Sequence, residues 1–138
     1  YAPWYESSLE FAAACLPYVY HLPEVVEVWL RSTTEIAYSR AMPAIAARLI
    51  EIYLTIEPNN PEMLRQLSAF HDFAGNHSQA IEAAKRCYSL LKTIPEQVYG
   101  NHVILRSLMS AGVYWEEAVA VFERQKLLLQ SMIDENIT

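Results

Sequence analysis

The sequence predicts an all-α fold, and three observations carry that expectation. Apolar residues recur at three- and four-residue steps along most of the 138 positions, the spacing of one helix face. Helix-ending signals, Gly75-Asn76, Glu57-Pro58-Asn59-Asn60-Pro61 and Ala111-Gly112, interrupt these runs. Alternating apolar and polar runs of the kind that build strands are nearly absent.

In chain order, Trp4, Leu9, Ala12, Ala13 and Leu16 suggest a first helix within 1–22 that ends before Pro17. The next unit is 27–60. Its first helix carries Leu30, Thr33, Thr34 and Ala37, and its second, Pro43–Ile56, carries Ala46, Ala47, Ile50, Tyr53 and Leu54. Pro43 suits a first helical turn, where its missing amide proton costs little.

The unit 61–94 has the clearest pattern. Leu64, Leu67, Ser68, His71 and Ala74 mark a helix that Gly75-Asn76 breaks. His77 begins the following one, and Ala80, Ile81, Ala84, Cys87, Tyr88 and Leu91 continue it until Pro95, which is expected to stop it. The last unit, 96–132, pairs a helix holding Ile104, Leu105 and Leu108 with one that starts near Trp115. There Glu116 and Glu117 complement the positive end of the helix dipole. Ala118, Val119, Phe122 and Leu129 extend its apolar stripe.

The units repeat. From Ala46 to Ala80 is 34 residues, and from Ala80 to Ala118 is 38, so the last connection carries a short insertion. Leu64, Leu67-Ser68, His71, Gly75-Asn76, Ala80, Ala84, Cys87 and Pro95 resemble the defining positions of the tetratricopeptide repeat (TPR), in a degenerate form. Ala84 stands where an aromatic is usual, and Pro95 comes a few residues late. Small residues at 68 and 80 fit a place where two antiparallel helices cross closely. The resemblance implies one domain over 1–138, a right-handed superhelix of antiparallel helix pairs with about seven helices. Residues 1–22 would then be an N-terminal helix or cap.

Composition excludes several kinds of function. Three glycines, Gly75, Gly100 and Gly112, lie too far apart for a phosphate-cradling loop. A formal net charge of −6 argues against nucleic acid. Cys15 and Cys87 form no CxxC pair, and His21, His71, His77 and His102 have no metal-ligand spacing. No GxSxG or other catalytic constellation occurs. The expectation is a protein that is not an enzyme and holds no metal or cofactor.

No apolar run reaches membrane-span length, and Tyr1–Glu10 has no basic region of a signal peptide. Reduced, buried cysteines favour the cytoplasm, whereas a Cys15–Cys87 disulfide would point to export. The absence of an initiator Met suggests an excised or processed piece of a longer protein.

What the resemblance implies for function is a concave groove lined by the first helix of each unit, which binds a protein or peptide. The positions carried over are Val28, Arg31, Glu35 and Tyr38 in 27–60, then Glu62, Arg65, Ala69, Asp72 and Phe73 in 61–94. In 96–132 they are Tyr99, His102, Arg106 and Met109. Arg31, Arg65 and Arg106 would form a ladder for acidic or aromatic side chains, since guanidinium binds carboxylates and stacks on rings. Pairing with Glu35 and Asp72 would instead leave them as surface ion pairs. TPR domains that grip chaperone C-termini use Lys and Asn where this chain has Arg31, Glu35, Arg65 and Gln66, so that ligand is not expected.

The final helix, with Leu127, Leu128, Leu129, Met132 and Ile133, and the first segment, with Trp4, Tyr5 and Phe11, are apolar over more than one face. Solenoid ends are normally polar, which suggests further repeats or a homodimer. The stretch 101–109 with Trp115-Glu116-Glu117-Ala118 is similar in style to the repeats of SPINDLY-type O-linked N-acetylglucosamine transferases. That likeness implies an alternative role, a non-catalytic region recruiting a protein substrate to a larger enzyme. A third reading is a self-assembling structural module.

Overall fold

The computed structural model describes residues 42–136 together with Ala14, Cys15, Tyr18, His21, Leu22 and Glu24. Five helices occupy the continuous stretch: α1 (Pro43–Ile56), α2 (Pro61–Phe73), α3 (His77–Leu90), α4 (Ile94–Ala111) and α5 (Trp115–Asp134). The described residues are all-α and contain no strand. The expected first helix of 27–60 lies outside them. Ala14, Cys15 and Tyr18 are helical, and the helix end expected before Pro17 falls on residues outside the described ones.

The chain divides into two compact units, Tyr1–Pro58 and Asn59–Thr138. In the first, Pro43 sits in the opening turn of α1, and Ala46, Ala47, Leu49, Ile50, Tyr53 and Leu54 are buried. Ile45 and Ile52 pack against Leu49. The Tyr53 hydroxyl donates to Glu57 as the helix ends.

In the second unit the helix ends follow from local chemistry. Asn60 caps α2 by accepting from the Met63 amide at 3.1 Å. Gly75 closes α2 in the left-handed region, with φ 84°. Its amide reaches the Asp72 carbonyl at 3.0 Å and the Asn76 amide reaches that of His71 at 2.8 Å, the paired bonds of a Schellman ending.

Pro95 does not stop α3. That helix ends at Leu90, where Leu91 turns extended, and Pro95 instead lies in the first turn of α4. Thr93 caps α4, accepting from the Glu96 amide at 3.3 Å and donating to its carboxylate at 2.6 Å. Gly112, at φ 73°, ends α4.

Within this second unit α2 packs on α3, α3 on α4 and α4 on α5, and α2 also packs on α4. Contacts between Pro61 and Cys87 and between Ser68 and Ala80 make α2 and α3 antiparallel. Gln125 bonded to Val98, and Asn101 bonded to Val121, do the same for α4 and α5. Ile81 and Ala84 of α3, Val103, Ile104 and Leu108 of α4, and Ala118 and Val121 of α5 form one buried cluster. Each large aliphatic side chain there contributes about 1.5–3 kcal/mol through removal from water.

Candidate protein-binding face

The small residues read from the sequence are where the helices come closest. Ser68 and Ala80 are completely buried, and the Ser68 hydroxyl donates to the Ala80 carbonyl at 2.8 Å. The seam continues to α4. Ser68 Oγ lies 3.2 Å from Ser107 Oγ, and Ser107 donates to Asp72 Oδ2 at 2.7 Å. Asp72 Oδ1 meets His77 Nδ1 at 3.1 Å. Small hydroxyls thus let α2 and α4 approach and satisfy their own polar groups where water is excluded.

Arg65 of α2 lies beside Tyr99 of α4, and Ser68 and Asp72 are bonded with Ser107. Residue numbers rise together on the two helices, so α2 and α4 run parallel. Their unpacked sides form one continuous face.

This face brings together most of the groove residues expected in the unit. Tyr99, His102, Arg106 and Met109 are all exposed along one side of α4. Phe73 is 69% and Met109 61% exposed, a level at which each offers a broad apolar surface to a partner. Ala69 is half-buried on α2, a small residue between larger neighbours. Arg31, Glu35, Tyr38 and Val28 lie outside the described residues.

Two residues differ in role from the expectation. Asp72 turns inward: only 13% of its side chain is exposed, and both carboxylate oxygens are engaged by Ser107 and His77. It holds the seam and does not line the face. Arg65 is engaged too. It donates to Glu62 Oε2 at 3.0 Å and makes a second contact with Oε1. The hydrogen bond from Arg65 holds the Glu62 carboxyl below its ordinary range, and Glu62 in turn raises the Arg65 guanidinium. The ion pair is therefore complete above the ordinary carboxylate range and is lost only as pH falls through the lowered Glu62 value. Arg106, by contrast, makes no ion pair among the described residues.

Sequence reasoning missed the polar cluster that joins α4 to α5. Asn101, fully buried, donates to the Val121 carbonyl at 3.0 Å and to Gln125 at 2.9 Å. It accepts from Arg124 at 2.6 Å. The Arg124 guanidinium also lies 4.3 Å from the Tyr88 ring centre, a cation–π distance. The available signal was an Asn in helical register with Ile104 and Leu108, hence on the buried side of α4.

Cys87 is buried and its thiol donates to the Pro61 carbonyl at 3.3 Å. Burial raises its pKa. Cys15 and Cys87 are both free thiols. An open depression of about 390 Å³ on the outer side of α3 is lined by Ser78, Ile81, Glu82, Lys85, Arg86 and Ser89. Among the described residues no three His, Cys, Asp or Glu side chains cluster as a metal site, and no helix is long and apolar enough to cross a membrane. Compared with models of protein families, with curated proteins and with solved structures, the chain matches none of them.

Proposed function

We propose that this chain is a TPR-type repeat array that binds a peptide segment of another protein on the α2–α4 face. The observation that carries this reading is the exposed set Phe73, Tyr99 and Met109 together with an exposed Arg106 that makes no ion pair among the described residues. Arginine, tyrosine and methionine are the residue types enriched at protein interfaces. A carboxylate of the peptide would take Arg106 in a bidentate fork, and a large apolar side chain would lie against Phe73 and Met109. The packing of α2 on α4, in addition to the hairpin contacts, supports a stacked repeat. Two free thiols support a reducing, cytoplasmic setting.

Selection from a displayed random-peptide library tests the reading. Selected peptides are expected to combine an acidic with a large apolar residue. Arg106→Ala is expected to weaken them about tenfold, the equivalent of about 1.4 kcal/mol. Peptides that bind Arg106→Ala and Phe73→Ala as well as the original chain would overturn it.

A further inference from the structure

Helix α5 carries two apolar faces. One is turned into the unit through Ala118 and Val121. The other is open. Trp115 is 73% exposed, Val119 51%, Phe122 52%, Leu129 44% and Ile133 71%, so none is absorbed by the unit's own core. Lys126, whose side chain is 59% exposed, completes the row.

The spacing of this row is informative. Positions 115, 119, 122, 126, 129 and 133 advance by alternating steps of four and three. That is the 3.5-residue repeat of a coiled-coil seam, the pattern along which a second helix packs. At 1.5 Å per residue the seam runs about 27 Å.

We propose that α5 pairs antiparallel with α5 of a second copy of this chain. The row is self-complementary only in that direction. Antiparallel pairing about position 124 sets Trp115 against Ile133, Val119 against Leu129, and Phe122 against Lys126, so large meets smaller in the outer layers. A parallel pair would place the two Lys126 ammonium groups face to face in the seam. The antiparallel one sets each beside a Phe122 ring, the contact Lys126 already makes within its own chain at 5.9 Å. It also brings each ammonium within one position of Glu123 of the other copy. Lys126 pairs with its own Glu123 at 3.5 Å, so the two copies share a compensated charge cluster at the two-fold axis. A single charged residue in an apolar seam is a device that selects register and orientation.

Sedimentation of the 138-residue chain, from about 1 μM to 1 mM, tests this. The expected result is a monomer–dimer equilibrium. Phe122→Asp together with Leu129→Asp should weaken it at least a hundredfold with unchanged helical circular dichroism. Lys126→Leu should tighten it. Orientation is read in a Cys15→Ser, Cys87→Ala background. Val119→Cys chains mixed with Leu129→Cys chains should form the mixed disulfide in preference to either homodimer.

A chain monomeric throughout overturns the proposal. So does a dimer indifferent to the double substitution, or a 119–119 disulfide that dominates the mixture. Capture on this row of a helix from another protein, or of a further segment of a longer chain, by the monomer would overturn it too. Peptide selection on the α2–α4 face has a separate readout, so failure of either idea leaves the other standing.

Discussion

The first helices of the two hairpins, α2 and α4, meet by close approach, whereas the second helices, α3 and α5, are bridged at the surface by long side chains. Between α2 and α4 the contact is made by Ser68 and Ser107, both fully buried. Helix α3 reaches α5 through the Lys85–Glu117 ion pair and the Tyr88 ring under Arg124, and the two backbones do not come close. The contrast locates where the unit is held most closely. Short residues draw one side together, and long solvated ones span the other without confining it.

Substitutions can break the comparison in order of effect. Ser68→Leu puts a large side chain where no space exists and removes the donor to Ala80. It is expected to destabilise the chain by about 3 kcal/mol, read as a shift of the urea midpoint at constant m-value. Ser107→Ala keeps the volume but leaves Asp72 without its buried donor, and about 1–2 kcal/mol is expected to be lost. Equal losses for Ser107→Ala and for an exposed control such as Ser110→Ala would show that the seam contributes nothing specific.

Lys85→Met should change stability by less than about 0.5 kcal/mol, because the pair it removes is half solvated. A loss as large as that of Ser68→Leu would mean that the outer side, not the seam, sets the geometry.

Much of this was legible in the sequence, for a physical reason. Ser68 and Ala80 are small where the helices touch, and size at a crossing is a property of the residue itself. The exposed row of α4 was legible too, since Tyr99, His102, Arg106 and Met109 follow the helical period away from Val103, Ile104 and Leu108. What did not show was the side chain whose direction depends on a partner far along the chain. Asp72 sits at the edge of its helix face, and only Ser107 and His77 decide that it turns inward. Asn101 was passed over because a polar residue between apolar ones does not name its acceptors on α5. Pro95 misled because proline both ends helices and begins them. The extended backbone at Leu91 settles which, and sequence does not display it.

The Ser68–Ser107 bond spans 39 positions of the chain, and the core contacts of this unit join each helix to its immediate neighbours or to the next but one. The unit's topology therefore has a kinetic meaning. Loop closure of so few residues is cheap and fast, so no helix must wait for a distant strand or terminus to arrive. Folding can begin at any hairpin and spread to its neighbour, and the hydroxyl seam closes when two already formed hairpins meet.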